Sequence, residues 1–250
     1  MRLRALILCL FCLRITPAIA APTTWMTLAP GFEYAKLAAA GPNTESYVHA
    51  FRIDPAKYRF SVALAKDFSQ KSTSVRELAE RSKALLAING GFFSPELEPL
   101  GLRIQGGKIR SPLKNTSWWG VFAIHGHQPR IVAQRDFRPD TNPTMAVQAG
   151  PRLLVDGALP PLRPGTDDRS ALGITPQGKV VVAITEHAPM ETATLADLFR
   201  RTEKQGGLGC RSALNLDGGR SAQLFTRLGR FQLHIPNLSA ITDAVVVLPK

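Results

Sequence analysis

Hydrophobic residues in this chain are concentrated in short runs that alternate with turn-forming residues. Runs of this length, rich in branched and aromatic side chains, predict β-strands, because such side chains pack well on a pleated sheet. The clearest runs are Tyr47–Ile53, Phe60–Ala65, Leu85–Ile88, Val121–Ile124, Met145–Gln148, Val180–Thr185, Ala213–Leu216 and Ala244–Leu248. The spacing of these runs predicts a β-rich fold.

Two of the intervening turns predict β-hairpins. Gly106-Gly107 follows Leu102–Gln105 and is a two-residue turn of the kind that joins adjacent antiparallel strands. Thr175–Gly178 lies in the same way between Ala171–Ile174 and the run that begins at Val180. Both pairs of strands are therefore expected to be antiparallel.

Two segments have helical patterns instead. The first begins at the capping box Ser74-x-x-Glu77 and ends near Ala84. The second is expected to begin at Thr194-x-x-Asp197 and to end at the glycine pair Gly206-Gly207. Because an apolar run follows each helix, the sequence predicts an α+β fold, a single domain with a mixed or antiparallel β-sheet and two main helices.

The beginning of the chain has the pattern of an export signal. Arg2 and Arg4 precede an apolar run, and Ala18-Ile19-Ala20 matches a small-x-small cleavage site. We therefore expect residues 1–20 to be a signal peptide and the protein to be exported, to the periplasm or beyond it. The apolar run is too short to span a bilayer, so stable membrane insertion is not expected after cleavage. A retained membrane anchor is the alternative interpretation.

Composition and net charge indicate which class of molecule the protein binds. Hydrophobic residues make up 44% of the chain and charged residues 20%, which is typical of a globular protein and not of a disordered one. The formal net charge is +12, and cleavage after Ala20 would lower it by the three arginines of the first segment. Positive charge favours an anionic partner. The basic residues are scattered and form no stripe with interleaved aromatics, so no nucleic-acid partner is expected.

Two pairs of glycines directly follow apolar runs. They stand in Asn89-Gly90-Gly91 and in Asp217-Gly218-Gly219, and Asn215 lies two residues before the aspartate. Glycine lets a ligand approach the main chain closely, and successive amides in such a turn bind anionic oxygens. The period of a strand would place Asn215 and Asp217 on the same side. The alternative is that both segments are tight turns, in which Asn and Asp are common for conformational reasons.

Three further groups of polar residues lie at strand ends or in turns. Asp168-Arg169 precedes the second predicted hairpin, and a guanidinium held by a neighbouring aspartate is suited to bind a phosphate or a carboxylate. Glu186 follows the run Val180–Thr185, and Arg220-Ser221 follows the second glycine pair. Each of these groups, taken alone, is also common in a surface turn.

Four segments of the chain occur in an order that is characteristic of one protein family. They are Ala87–Phe93, Gln148–Pro151 with Leu153-Leu154, Arg169–Gly173 and Ala213–Gly219. On these segments the sequence resembles the phosphodiester glycosidase family, which includes many exported bacterial proteins and an enzyme that removes N-acetylglucosamine from a mannose phosphate diester. The resemblance extends from Tyr47 to Leu248 and implies that residues 21–250 form a phosphodiester glycosidase-like domain.

The resemblance also implies an activity, the hydrolysis of the C1–O bond of a sugar 1-phosphodiester. Such a reaction passes through an oxocarbenium-like transition state and needs a carboxylate to activate water or to stabilise the cation. Asp217 is the first candidate for this carboxylate and Glu186 the second, and Arg169 held by Asp168 is the expected phosphate clamp. Arg220 stands where many members of the family have a small residue, and its guanidinium would add a phosphate contact or exclude the mannose phosphate diester. The expected substrate-binding residues are Asn89, Gly90, Gly91, Asp168, Arg169, Asn215, Gly218, Gly219, Arg220 and Ser221.

Other functions compatible with the sequence are a non-catalytic protein that binds glycans or sugar phosphates in cell-envelope or exopolysaccharide metabolism, and a basic protein that binds anionic lipid. His125 and His127 alternate near a strand end and would face one metal, but no third ligand is evident, so neither a metal nor a cofactor is expected. The oligomeric state is left open.

Overall fold

The computed structural model describes residues 21–42, 45–138 and 141–250. The predicted signal peptide, residues 1–20, lies outside the described residues. Nearly all regular structure in the described ranges is β-strand. In chain order the elements are β1 (Met26–Ala29), β2 (Phe32–Ala38), β3 (Tyr47–Ile53), β4 (Tyr58–Leu64), α1 (Val75–Ser82), β5 (Leu86–Asn89), β6 (Arg103–Gln105), β7 (Lys108–Ser111), β8 (Gly120–His125), β9 (Gln128–Ala133), β10 (Met145–Ala149), β11 (Arg152–Leu154), β12 (Thr166–Asp167), β13 (Ser170–Ile174), β14 (Val180–Glu186), β15 (Met190–Glu191), α2 (Thr192–Arg200), β16 (Ser212–Asn215), β17 (Leu224–Leu228), β18 (Phe231–Ile235) and β19 (Asp243–Pro249).

The strands form three larger sheets and a short ribbon. Sheet I has the order β1-β2-β3-β14-β13-β16-β11, sheet II the order β7-β6-β10-β8-β9, and sheet III the order β18-β17-β5-β19-β4, while β12 pairs with β15. Neighbouring strands in the described residues are antiparallel throughout. The predicted fold class is therefore confirmed in its antiparallel form, with two α-helices.

The main hydrophobic core is enclosed by all three sheets. Phe51 and Val182 of sheet I pack in the same cluster as Phe122 of sheet II and Ile88 and Val245 of sheet III. The alternation of side chains along a strand leaves a second face on each sheet, and in two cases a helix covers it. Helix α2 packs on sheet I, and helix α1 packs on sheet III. No helix in the described ranges is both long and apolar enough to cross a membrane.

Most of the predicted elements are present. The eight predicted strands correspond to β3, β4, β5, β8, β10, β14, β16 and β19, and both predicted hairpins form, as β6–β7 and β13–β14. Helix α1 begins as expected, because the Ser74 side chain accepts a hydrogen bond from the Glu77 main-chain N–H. Both expected bounds of the second helix are wrong: α2 begins at Thr192, before Thr194, and ends at Arg200, and a separate 3₁₀ turn, Glu203–Gln205, precedes the glycine pair Gly206-Gly207.

The antiparallel arrangement brings the ends of several strands to one end of the molecule. Asn89 and Glu186 are the last residues of β5 and β14, and Ser170, Arg103 and Asp243 are the first residues of β13, β6 and β19. Hydrogen bonds between these residues or their neighbours link all three sheets at this end. The connecting loops carry the polar residues that the sequence analysis selected, as is common for functional loops on a rigid scaffold.

A buried ion pair joins sheet II to sheet III at this end. The Arg103 Nε donates to the Asp243 Oδ1 at 2.7 Å, and both side chains are 0% exposed. The remaining guanidinium N–H groups donate to main-chain oxygens, including those of Gln148 at 3.2 Å and Phe92 at 3.2 Å. The Thr242 hydroxyl donates to the second carboxylate oxygen of Asp243 at 2.9 Å. The pair is thus surrounded by partners that compensate for its removal from water.

Removing one member of this pair is expected to leave a buried charge without a partner. We predict that Asp243→Asn or Arg103→Met lowers the free energy of unfolding by about 3–5 kcal/mol. Urea denaturation measures the change.

The matched control is Asp197→Asn, which breaks the exposed Asp197–Arg200 pair and is expected to change the free energy by less than about 1 kcal/mol. Equal losses in the buried and exposed variants would contradict this account of the ion pair.

Candidate active site

Asn89 fixes the turn that carries Asp217. The Asn89 side-chain amide donates to the Asp217 main-chain oxygen at 2.7 Å. The Asn89 Oδ1 accepts from the Ser170 hydroxyl at 2.7 Å and from the Gln223 main-chain N–H at 3.2 Å. Asn89 is buried and its side chain is fully used in these bonds. Its position therefore favours an orienting role over the predicted direct contact with substrate.

Asp217 is the partly buried carboxylate at the centre of this end of the molecule. Its carboxylate accepts hydrogen bonds from the Gly218 main-chain N–H and from the Ser221 side chain. Burial raises the pKa of Asp217 to about 6, and these two hydrogen bonds oppose the shift. The nearby Asp243 charge raises the same pKa, and Arg103 lowers it. Asp217 can therefore exchange a proton near neutral pH.

The glycine pairs serve mainly to let polar groups approach the main chain. A side chain at Gly90 would overlap the Asp243 carboxylate, and one at Gly91 would overlap the Gln148 main-chain oxygen and the Arg103 guanidinium. Gly219 has a φ of +57°, a conformation that glycine adopts without strain.

The predicted nest of free amides is not supported by these turns. The Gly90 N–H donates to the Asp243 main-chain oxygen at 2.9 Å, and the Gly219 N–H donates to the Asp168 main-chain oxygen at 2.8 Å. The Gly218 N–H donates to the Asp217 carboxylate. Because each amide already has an acceptor inside the protein, these three cannot also cradle a phosphate without rearrangement. These bonds involve three of the four glycines of the two pairs, and the fourth is Gly91.

Asp168 and Arg169 do not form the predicted clamp. Neighbouring residues of an extended chain point to opposite sides. The Arg169 Nε donates to the Met190 main-chain oxygen at 2.8 Å, and another guanidinium nitrogen donates to the Gly165 oxygen. Arg169 is buried in these contacts, so its guanidinium holds the β12–β15 ribbon against sheet I. The prediction that Asp168 orients Arg169 towards a phosphate is therefore wrong in its geometry.

Asp168 instead belongs to the Asp217 turn. Its side chain is hydrogen-bonded to Asn237, whose amide donates to the Gly219 main-chain oxygen at 2.9 Å. Burial and the neighbouring Asp167 charge raise the pKa of Asp168. The structure thus brings a second carboxylate with a raised pKa to the turn that carries Asp217.

Glu186 is held by a chain of two further side chains. The His49 Nε2 is 2.8 Å from the Glu186 Oε2, and the His49 Nδ1 is 2.7 Å from the Tyr34 hydroxyl. Burial lowers the pKa of His49, which favours a neutral ring that donates from Nε2 to Glu186 and accepts at Nδ1 from Tyr34. The side chain of Glu186 is 26% exposed. This carboxylate is therefore held in place by His49 and remains partly exposed to solvent.

Glu186 projects from the same face of sheet I as Ser170. Ser170 pairs directly with Ile184 across β13 and β14, and Glu186 lies two residues further along β14. Side chains two residues apart on a strand share a face. Since Ser170 contacts Asn89, and Asn89 contacts the Asp217 main-chain oxygen, the turn that carries Asp217 lies at the same end of sheet I as Glu186.

The remaining predicted site residues divide into buried and exposed groups. Asn215 is buried and its side-chain amide donates to the main-chain oxygens of Gly150 at 3.2 Å and Leu216 at 2.6 Å. It therefore shapes the main chain before Asp217, and the prediction that it shares a ligand with Asp217 is not supported by these contacts. Ser221 is buried against the Asp217 carboxylate. Arg220 is exposed, and among the described residues no carboxylate forms an ion pair with it.

Sequence reasoning missed several polar residues of this end, namely Tyr34, His49, Arg103, Ser170, Asn237 and Asp243. A signal was present for two of them. His49 interrupts the apolar run of β3, and Arg103 stands between two buried apolar residues, Leu102 and Ile104. A charged or titratable side chain inside a hydrophobic run must find a partner when it is buried.

The histidine pair considered as a metal site has other partners. The His125 Nε2 lies 2.8 Å from the Thr141 hydroxyl, and the His127 Nδ1 lies 3.1 Å from the Lys250 Nζ. Across residues 21–42, 45–138 and 141–250, no group of three or more His, Cys, Asp and Glu side chains is arranged to hold a metal ion.

Comparison with known proteins gives a family match and several relatives. The model of the phosphodiester glycosidase family matches residues 82–248. The protein YigE of Escherichia coli (strain K12) is 25% identical over 179 residues, which are 65% of this chain and 70% of YigE.

Two solved structures share the fold. One is the catalytic domain of zebrafish N-acetylglucosamine-1-phosphodiester alpha-N-acetylglucosaminidase, auto-inhibited by its pro-peptide, with a TM-score of 0.65 and 18% identity over 93% of this chain and 87% of that one. The other is a hypothetical protein from Synechocystis, with a TM-score of 0.64 and 15% identity over 92% of this chain. This chain covers 64% of the Synechocystis protein, less than two thirds of its length.

The raised pKa of Asp217 predicts a pH-dependent contribution to stability. The fold favours the protonated carboxyl group, so this contribution is present below about pH 4 and is lost as the pH rises through about 6. We predict that Asp217→Asn gains stability relative to the wild type between pH 4 and pH 7, by up to about 3 kcal/mol. Urea denaturation at a series of pH values measures the difference.

The control for this measurement is Asp156→Asn, which removes an exposed carboxylate paired with Arg211. A difference between Asp217→Asn and the wild type that stays constant from pH 4 to pH 7 would refute burial of the Asp217 charge.

Proposed function

Since the chain belongs to the phosphodiester glycosidase family, we propose that it is a hydrolase that cleaves the C1–O bond of a sugar 1-phosphodiester. The family match and the shared fold support a phosphodiester glycosidase-type function. The observation that carries the finer proposal is the position of Asp217, a carboxylate with a raised pKa on a turn at the same end of sheet I as Glu186.

Similarity to known proteins does not identify the sugar of the proposed substrate. The zebrafish enzyme is named for an N-acetylglucosamine 1-phosphodiester, and at 18% identity its likeness to this chain is one of fold. We therefore name the substrate class, a sugar linked through C1 to a phosphodiester, and leave the sugar unspecified.

The geometry suggests how two carboxylates would divide the reaction. Departure of the phosphate takes the electron pair of the C1–O bond and leaves positive charge on the sugar ring. Ionised Asp217 would stabilise this charge or take a proton from the water that attacks C1. A phosphate is a good leaving group, so its departure depends less on protonation than that of an ordinary alcohol. Glu186, held by His49, supplies the second carboxylate of the pair that glycosidases use.

We propose Arg220 as the cation that binds the phosphate. It lies three residues after Asp217, it is exposed, and no described carboxylate pairs with it. A guanidinium presents parallel N–H donors that match two phosphate oxygens. Arg169, the clamp expected from the sequence, already donates to main-chain oxygens. We therefore assign the phosphate contact to Arg220 and not to Arg169.

Loss of either carboxylate is expected to abolish most turnover. We predict that Asp217→Asn and Glu186→Gln each lower kcat/KM for a sugar 1-phosphate methyl or aryl diester by at least about 100-fold. In the wild type, kcat/KM is expected to fall on the acid side with an apparent pKa near 6, because Asp217 must be ionised.

Asp156→Asn, at an exposed turn, is the control and should keep wild-type activity. Binding of a sugar phosphodiester with no hydrolysis at any pH from 4 to 9 would reject the hydrolase and favour the non-catalytic binding protein.

Substitution of Arg220 is expected to change KM, whereas substitution of Arg169 is expected to change stability. Because a charge-assisted hydrogen bond contributes about 1.5–3 kcal/mol, Arg220→Ala should raise KM for the diester about tenfold or more. Its free energy of unfolding should change by less than about 0.5 kcal/mol. Arg169→Met should instead lower stability, since it removes the side-chain donor to the Met190 oxygen and one of the donors to the Gly165 oxygen. Steady-state kinetics and urea denaturation of both variants test the assignment, and an unchanged KM in Arg220→Ala would remove Arg220 from the site.

A further inference from the structure

A buried histidine interrupts the face of sheet I that packs in the main hydrophobic core. His49 and Phe51 lie two residues apart on β3, so their side chains share this face. Phe51 belongs to the core, and His49 is only 2% exposed. Burial of an imidazole ring costs free energy unless its nitrogens have hydrogen-bond partners. The partners of His49 therefore account for a titratable ring in a position where an apolar side chain would pack without that cost.

The two nitrogens of His49 connect Tyr34 to Glu186. The Nδ1 atom lies 2.7 Å from the Tyr34 hydroxyl, and the Nε2 atom lies 2.8 Å from the Glu186 Oε2. An ionised carboxylate only accepts hydrogen bonds, so Nε2 carries the proton of a neutral ring and Nδ1 accepts from Tyr34. Burial lowers the pKa of His49. Burial also raises the pKa of Tyr34 to about 12, and the charge of Glu186 acts in the same direction. Both shifts favour a neutral imidazole and a protonated tyrosine.

Tyr34 is held in place by aromatic rings from two sheets. The centroid of its ring lies 5.1 Å from that of Phe51 in sheet I and 4.8 Å from that of Phe231 in sheet III. The Tyr34 ring also stacks on the His49 ring, with centroids 6.0 Å apart and an angle of 21° between the planes. Because these contacts restrict both side chains, the hydroxyl is fixed against Nδ1 before any substrate binds.

The other end of this hydrogen-bonded chain is the partly exposed carboxylate. The Glu186 side chain is 26% exposed, and its Oε2 is bonded to His49. Tyr47 pairs directly with Glu186 across β3 and β14, and the Lys36 Nζ lies 3.5 Å from the centroid of the Tyr47 ring. Among the described residues, none donates a hydrogen bond to Oε1 of Glu186. Oε1 is thus the oxygen that remains for a substrate or a water molecule.

We propose that His49 and Tyr34 are positioning residues for the proposed hydrolysis. Tyr34 donates to Nδ1 and holds the neutral His49 ring, and His49 holds Oε2 of Glu186, so that Oε1 faces the reacting sugar. This proposal rests on the proposed function and adds to it two residues that touch no substrate. Neither residue gains or loses a proton in the reaction. Misplacement of a reacting group by about 1 Å costs an enzyme up to about 100-fold in rate, which gives the support of Glu186 its importance.

Substitution of His49 tests whether the ring acts through its Nε2 proton. His49→Leu is expected to lower kcat/KM for a sugar 1-phosphate methyl diester by about 10–100-fold. His49→Gln should recover most of this loss, because its amide N–H takes the place of Nε2–H. Tyr34→Phe removes one hydrogen bond between neutral groups and should cost about 2–10-fold. The matched control is His234→Leu, at a partly buried histidine of β18, which should keep wild-type activity.

A double-mutant cycle separates positioning from a general loss of structure. Because His49 is proposed to act through Glu186, His49→Leu should lower kcat/KM in the wild type and have no further effect in Glu186→Gln. An equal loss in the two backgrounds overturns the proposal, and so does an equal loss in His49→Leu and His49→Gln. If the wild type binds the diester without hydrolysing it, only the hydrolase is rejected. The same cycle, with the same two criteria, is then measured on dissociation constants by calorimetry.

The protonation of His49 can be measured without any substrate. The chain has five histidines, and in nitrogen-15 NMR spectra of histidine-labelled protein the His49 signals are identified by their loss in His49→Gln. We expect a proton on Nε2 and none on Nδ1 in the wild type. Tyr34→Phe should shift the Nδ1 signal, because this nitrogen loses its hydrogen-bond donor. A proton on Nδ1 in the wild type, or an Nδ1 signal that is unchanged in Tyr34→Phe, overturns the role of Tyr34.

Discussion

The buried Arg103–Asp243 ion pair is the interaction on which the candidate site depends. Two opposite charges at 0% exposure are tolerable only where every donor and acceptor has a partner. Here the partners include the main-chain oxygens of Phe92, directly after the first glycine pair, and of Gln148 in β10. The charges also contribute to the electrostatic environment of Asp217, in opposite directions. One ion pair therefore links the packing of two sheets to the proton affinity of a candidate catalytic group.

The site is built in two layers around this pair. Asn89, Gln148, Ser221 and His49 are buried and hydrogen-bonded, and each holds a main-chain segment or a carboxylate in position. The accessible groups proposed for the site are Glu186 and Arg220, and Asp217 is partly buried between the two layers. Polar groups that are fixed before substrate arrives need no reorganisation during reaction, which is the usual source of electrostatic stabilisation in enzymes.

Local sequence patterns predicted many of the helices and strands. The features they missed depend on contacts between residues far apart in the chain. Helix α1 and the central strands follow from caps and apolar runs, and the two glycine pairs meet where the Gly90 oxygen accepts from the Asp217 N–H. Strands β1, β2, β17 and β18 were not among the predicted runs, because polar residues alternate along these strands at or near sheet edges. Helix α2 begins at Thr192, and its N-cap residue Glu191 bonds through its side chain to the distant Gly165 N–H and not to the helix main chain, a contact that no local pattern shows. Arg169 was misassigned because its partners, Gly165 and Met190, are brought together only by the β12–β15 ribbon.

Three of the hydrogen bonds that assemble this end join residues very far apart in the chain. Asn89 and Asp217 are separated by 128 positions, His49 and Glu186 by 137, and Arg103 and Asp243 by 140. Contacts of such high contact order form late in folding, because the intervening chain must first lose its entropy. An incompletely folded chain therefore lacks the assembled carboxylates altogether. In the proposed hydrolase, turnover and completion of folding should therefore appear together in time, which makes turnover a sensitive reporter of the last folding step.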